Sequence, residues 1–343
     1  MKILLLATRP ARPSFRYRVE QAVPYFEQRG HTCKIDFLSG HAWRRVLLYR
    51  RLSGYDVIFL QSCLLSRSEL DLIRQRARWL VYDLDNAAMY NRQGRADDRR
   101  ITSFQAMAQA ADLIVCGNTH LAQQTSRLNQ RVEIIPTSID VSQFRSEAGL
   151  DAAQGHPQLV GTTLPTVGWS GSIRTNRYLN SVFPLLSRLA GRIRVKIISD
   201  STRNLDFHRL NQVPYAFVRR TIEREAAEMS TFDVGLLPLP DDPQTQGECG
   251  LQALQYMALG ITAVGSRVGV NQQIIQHAKN GFLADSPQAW YRILSRLAAD
   301  PQLRTEIGTA AVQRVEQSYS LAVHAPRIVN AVEQLAAVAR QSA

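Results

Sequence analysis

Apolar and polar residues alternate along this chain in blocks rather than singly. Lys2–Ala7, His31–Phe37, Tyr55–Gln61, Trp79–Leu84, Asp112–Gly117 and Val132–Pro136 are short runs rich in Val, Ile, Leu and Phe. Each is too continuously apolar for a strand with one wet face, which predicts strands covered on both sides. Between them lie amphipathic stretches, among them Tyr17–Gln28, Ser68–Arg78 and Thr119–Leu128. Strand, helix and strand in repetition predict βαβ units and a parallel sheet with helices on both faces. The pattern lapses from about Ser146 to Pro165, where Gly149, Gly155, Pro157, Gly161 and Pro165 punctuate a stretch without a period. Such a stretch reads as a linker. Strand signals resume at Thr166–Ser170, Arg194–Ser199, Tyr215–Val218, Asp233–Leu237, Ile261–Val264 and Gly281–Ala284. From Pro301 to Arg340, Ala, Val and Leu recur at helical spacing.

The expected architecture is α/β, with two doubly wound, Rossmann-like halves. Residues 1–155 form the first, 156–319 the second, and a last helix covers 320–343. Two such halves in tandem place a cleft at the C-terminal edges of two parallel sheets, where ligands of this class bind.

Composition narrows the class. The 343 residues suit two domains of about 150 each. With 45% hydrophobic and 20% charged residues, the chain is not a disordered one. No apolar run approaches the roughly 18 residues that span a bilayer. Met1–Ala7 is too short for a signal segment and leads into Arg9, so it reads as a first strand. Cys33, Cys63, Cys116 and Cys249 are scattered and form no CxxC pair, which predicts reduced thiols in a cytoplasmic protein. The seven histidines show no metal-ligand spacing, so neither a metal nor a cofactor is expected. His120, at a predicted helix start, reads as a neighbour of the N-cap. Lys and Arg number 41 against 29 Asp and Glu, a net charge of +12. That leaves anionic phosphates, an anionic membrane face or nucleic acid as partners.

The most informative stretch is Phe232–Gly269. A buried strand ends at Pro238 and Pro240, an acidic turn follows at Asp241, Asp242 and Pro243, and then come Gly247-Glu248-Cys249-Gly250. A helix begins at about Gly250. A glycine-rich loop opening a helix after a parallel strand presents free N–H groups and the positive end of the helix dipole to an anion. Glu248, Gly250 and Leu251 lie in the first turn, with Gln255 one turn on.

The string from Gly247 to Gly260, with Val264 and Gly269-Val270-Asn271 after it, resembles the donor-site motif of glycosyltransferase family 4. Three further segments agree in order: Ala111–Asn118 through Ile135–Asp140, Val167–Ser172, and Asn280–Leu283. The resemblance covers nearly the whole chain and implies a retaining GT-B glycosyltransferase. It would need no metal, would carry the nucleotide in its C-terminal half, and its last helix, 320–343, would cross back to pack on the first domain. The family has two Glu separated by seven residues. Alignment on Gly250 and Met257 puts Gly247 at the first and Gln255 at the second, with Glu248 one residue off. An amide can still bond a ribose hydroxyl as donor and acceptor. The loop after Trp169 holds the family's basic residues, so Gly171, Arg174 and Arg177 are the expected diphosphate contacts, a guanidinium binding phosphate with two parallel bonds.

In the first half, Arg16 and Arg18 follow the first strand and are candidates for an anionic acceptor or the donor diphosphate. Asp83 and Asp85 end the fourth strand. Paired carboxylates there suit proton transfer or hydroxyl binding, and Asp85 is the base-like candidate, with a helix N-cap as the alternative. His41–Leu52 carries Trp43 and Tyr49 with Arg44, Arg45, Arg50 and Arg51. It reads either as a membrane-surface helix or as a crossover helix burying Val46, Leu47 and Tyr49 on the sheet. The latter is the expectation. No nucleic-acid module or interleaving of stacking aromatics is present, which excludes that partner.

The expected function is transfer of a hexose-like sugar from a nucleoside diphosphate sugar to a hydroxyl acceptor, anionic or lipid-linked. The location expected is the cytoplasm, peripheral to the inner membrane face. A sugar-nucleotide epimerase or hydrolase, or a non-catalytic nucleotide-sugar-binding protein, would share the donor site.

Overall fold

The computed structural model describes residues 1–8, 13–91, 94–150 and 164–341, with Arg9 and Pro10 of the first loop outside them. Among the described residues twelve strands form: β1 (Lys2–Ala7), β2 (Thr32–Phe37), β3 (Val57–Gln61), β4 (Trp79–Leu84), β5 (Leu113–Cys116), β6 (Val132–Ile134), β7 (Thr166–Ser170), β8 (Arg194–Ser199), β9 (Tyr215–Arg219), β10 (Val234–Leu237), β11 (Thr262–Ser266) and β12 (Phe282–Ala284). They make two six-stranded sheets, ordered β2-β1-β3-β4-β5-β6 and β12-β11-β10-β7-β8-β9. Every paired strand in both is parallel.

The chain divides into two compact units. The first takes Met1–Ser138, Asp242–Cys249 and Leu321–Ala343; the second takes Ile139–Asp241 and Gly250–Ser320. The change of unit at Ser138 comes ahead of the Gly- and Pro-rich stretch expected to hold the linker, of which 151–163 lie outside the described residues. The helix Val141–Glu147 explains it: Arg145, 4% exposed, reaches the carbonyl of Ala258 within the second unit at 3.5 Å.

In the first unit β1 alternates as a two-faced strand must. Leu4 and Leu6 join Ile58, Leu60, Leu80 and Tyr82 on one side, while Ile3 and Leu5 join Val57, Phe59 and Val81 on the other. Both faces are apolar because both are covered. The last helix, Leu321–Gln341, supplies Leu321, Ala325, Ile328, Val329, Val332 and Leu335 to the second of these cores. Val167, Trp169, Val195, Ile197, Val234 and Leu236 centre the core of the second unit.

Two helical expectations change. The stretch expected as one helix, Tyr17–Gln28, is three pieces: a helix Pro13–Arg18, a 3-10 turn Glu20–Ala22 and a helix Val23–Gln28. Pro24 causes the break, since it has no N–H and is tolerated only in a first turn. The helix Ala42–Tyr49 buries Tyr49 but leaves Trp43 60%, Leu47 48% and Val46 38% exposed. Tyr49 donates to Glu69 at 3.1 Å and Arg45 pairs with the same carboxylate at 3.1 Å. These contacts turn the opposite face outward. Among the described residues no helix is long and apolar enough to cross a membrane.

Candidate active site

In the second unit the anion-binding geometry is built at one helix start. Gly250 has φ +71° and opens the helix Leu251–Ala258, whose first turn no side chain caps. A Cβ at Gly250 would lie 2.3 Å from Ile274 Cδ1 and 2.9 Å from Val270 Cγ1, so both the left-handed backbone and the close approach require glycine. Uncapped N–H groups with the helix dipole behind them favour a negative charge. Leu251 is half-buried, and Gln255 is 5% exposed on the next turn.

The same helix secures the end of β7. Sheet pairing of β7 with β10 stops at Gly168. Beyond it the Tyr256 hydroxyl accepts the Ser170 N–H at 2.8 Å. The Gln252 amide donates to that hydroxyl at 2.7 Å and to the Ser170 carbonyl. Burial pushes the Tyr256 phenol above its ordinary range, so it stays protonated. Ser170 leads directly into the loop Gly171–Thr175. Asp200 accepts the Ile173 N–H at 2.6 Å, and buried Asn176 donates to the carbonyls of Ser201 and Arg203 at 2.7 Å. This loop carries Arg174, and the short helix Asn176–Leu179 that follows it carries Arg177; both are exposed, and the Arg177 guanidinium donates to the Tyr178 hydroxyl at 3.2 Å. Gly171, Arg174, Arg177, Gly250, Leu251 and Gln255 thus all belong to this unit. Tyr256 and Gln252 were not expected there. Their helical spacing signalled core, and only Tyr at an otherwise apolar position hinted at a polar target.

The first unit gathers the other candidates. Arg18, 4% exposed, forks onto Asp83 with contacts of 2.5, 2.9 and 3.1 Å, and also donates to the Ile135 carbonyl at 3.1 Å and Thr137 at 3.3 Å. Burial alone would lower the guanidinium's pKa, but Asp83 more than offsets it and holds Arg18 charged. Arg18 and Asp83, expected to face an acceptor, therefore spend their hydrogen bonds on each other and on the strand β6 exit. Arg16 is half-buried on the same short helix. Asp85, 7% exposed, accepts from the Ser62 hydroxyl and from the Asn86 amide at 2.6 Å. Ser62 reaches it from φ +45°, a conformation rare for a serine.

Glu248 lies in the segment that belongs to this unit. The Asn118 amide donates to the Glu248 carbonyl at 2.9 Å while its oxygen caps Leu121 at 2.9 Å. Asn118 is thus the N-cap, with His120 two residues beyond it, and also the anchor of the loop. A Cβ at Gly247 would lie 2.5 Å from Ala87 Cβ, so no glutamate side chain fits at that position. The Cys249 thiol beside it is pushed well above its ordinary range by burial, against the nearby Arg18. Among the described residues no group of three or more His, Cys, Asp or Glu side chains could hold a metal ion.

Two doubly wound parallel sheets, with a glycine-opened helix in the second unit, make this a GT-B fold. Residues 165–300 match the family described as glycosyl transferases group 1. The chain is 24% identical over 241 residues to a D-inositol 3-phosphate glycosyltransferase from Pseudarthrobacter chlorophenolicus, covering 64% of this chain. It spans 55% of the length of that relative. Among solved structures it is similar to a sucrose-phosphate synthase from Thermosynechococcus elongatus, with TM-score 0.73 and 15% identity over 98% of this chain and 99% of that one. It is also similar to HepE from Anabaena, solved in complex with UDP and glucose, with TM-score 0.72 and 14% identity over 97% and 100%.

Proposed function

We propose that the protein transfers a hexose-like sugar from a nucleoside diphosphate sugar to a hydroxyl acceptor, with retention of configuration and without a metal. The observation that carries this is the uncapped helix start at Gly250, bonded through Gln252 and Tyr256 to the strand that leads into the Gly171–Arg177 loop. The helix N-terminus, Arg174 and Arg177 would stabilise the negative charge that develops on the departing diphosphate. As the bond from the anomeric carbon to the diphosphate breaks, the acceptor oxygen bonds to the same face of that carbon. The leaving phosphate takes the hydroxyl proton. Gln255 would bond a ribose hydroxyl, and Glu248 the donor sugar. Asp85, oriented by Ser62 and Asn86, would bind the acceptor hydroxyl, while Arg16 would meet an anionic acceptor. Arg18 and Asp83 would act as positioning residues.

The complexes of HepE with UDP and glucose support a UDP-sugar donor. The name of the inositol-phosphate relative supports an anionic acceptor. With this reading goes a location in the cytoplasm, peripheral to the inner membrane face, which the four free cysteines support. Thermal-shift titration with UDP, GDP, ADP, TDP and their sugars tests the donor. Stabilisation by one nucleotide class, weakened in Arg177→Ala, is expected. No shift with any of them would remove the reading, and an unchanged dissociation constant in Arg177→Ala would remove that residue from the site.

A further inference from the structure

Seven large hydrophobic side chains stand exposed among the described residues, and three of them share the eight-residue helix Ala42–Tyr49. The other four, Ile134, Tyr215, Ile222 and Val323, fall on four different elements. Trp43, Val46 and Leu47 are spaced i, i+3 and i+4, so they share one side of the helix. The opposite side carries Arg45, Leu48 and Tyr49, the last of them 1% exposed. Isolated exposed apolar residues are ordinary, but a cluster on one face marks an interaction surface.

The charge around the cluster is of one sign. From Phe37 to Tyr55 the chain contains no acidic residue and four arginines. Arg45 is taken up by Glu69. Arg44, Arg50 and Arg51 are exposed, and the Arg44 guanidinium lies 5.0 Å from the centre of the Trp43 ring. An outward face that mixes Trp, Leu and Val with guanidinium groups suits a boundary between acyl chains and phosphate headgroups. The indole and aliphatic groups enter the boundary while the arginines stay at the anionic layer. A protein partner of purely acidic character would leave the apolar trio wet. Since no described helix can cross a bilayer, contact of this kind lies on the surface.

We propose that the outward face of the helix Ala42–Tyr49 docks the protein on an anionic lipid bilayer. This deepens the peripheral location given above by naming the surface, and its test does not require turnover. The full chain is sedimented with vesicles of phosphatidylcholine alone and of phosphatidylcholine mixed with phosphatidylglycerol. Pelleting with the mixed vesicles only is expected. The double variant Trp43→Ser/Leu47→Ser and the triple variant Arg44→Gln/Arg50→Gln/Arg51→Gln are each expected to partition about tenfold more weakly. All five residues are exposed, and an unchanged melting temperature confirms that the variants fold. A wild-type chain that stays in the supernatant, or variants that pellet equally, would overturn the proposal. So would equal binding to both vesicle types, or self-association in sedimentation velocity that the Trp43→Ser/Leu47→Ser change abolishes. The last result would assign the face to a second copy. Vesicle binding without nucleotide stabilisation would sink the donor reading and leave this one standing.

Discussion

The phenol of Tyr256 stands in for a strand partner of Ser170, accepting its N–H at 2.8 Å where β10 no longer reaches. One side chain on the helix that begins at Gly250 thereby fixes the root of the loop that carries Arg174 and leads into the helix of Arg177. Tyr256→Phe keeps the ring packed edge-on against Phe232 but strands a buried N–H. It is expected to cost about 1–3 kcal/mol of stability. Nucleoside diphosphate affinity should fall as well, because the loop loses its tether. Calorimetric titration at a temperature where the variant is folded separates the two effects, and full affinity there would reduce Tyr256 to a core residue.

Gly250→Ala should damage binding more than folding. A left-handed backbone costs a Cβ-bearing residue about 1–2 kcal/mol, and the methyl would press on Ile274. Relief of either strain rotates the first N–H groups away from the anion. The expected result is a folded protein by circular dichroism with nucleotide stabilisation lost; retained stabilisation would show that the helix start does not hold phosphate.

Removing half of a buried ion pair is worse than removing all of it. Arg18→Met leaves the Asp83 carboxylate buried and unpaired, an expected loss of about 3–5 kcal/mol. Arg18→Met/Asp83→Leu should recover much of that in chemical denaturation. Arg18→Lys should not, because an ammonium cannot fork onto Asp83 and reach the Ile135 carbonyl together. A fully stable single variant would contradict the pairing.

Glu69 couples acid to the Ala42–Tyr49 helix. Burial raises its pKa, but bonds from Ser66, Arg45 and Tyr49 outweigh that and the net direction is down. A carboxylate lowered in the folded state stabilises above its unfolded pKa, near 4.5, and that stability drains away as pH falls through the folded value. Melting curves taken across that window should show a shallower acid limb for Glu69→Gln, an effect within about 1 kcal/mol for a half-exposed pair.

Strands were legible because continuous apolar runs have few alternatives in a chain with this many helices. The expected bounds of Lys2–Ala7, Trp79–Leu84, Thr166–Ser170 and Arg194–Ser199 match β1, β4, β7 and β8. Long-range partners were not legible. Arg18 reads as a loop cation until the fold brings Asp83 beside it. Asn118 is visible as a helix cap, but its amide's bond to the Glu248 carbonyl is not. Nor does periodicity tell that Val46 and Leu47 turn outward, since Tyr49 can bury the helix by itself. The site was half visible for the same reason. Gly250, Gln255 and the loop after Trp169 follow one another in a motif, whereas Ser62 and Tyr256 act through contacts made only after folding.

The ribosome imposes an order on this topology. The first unit is assembled from three separate pieces of chain, and the last of them, beginning at Leu321, lines the same core as Ile3 and Leu5. Ile3 and Leu5 therefore wait for the helix Leu321–Gln341 to be made before their apolar face is covered. The second unit, whose Ile139–Ser320 span is interrupted only at Asp242–Cys249, can close while the first is still open. Truncation within Leu321–Gln341 should consequently expose β1 and its neighbours to proteases rather than the second unit.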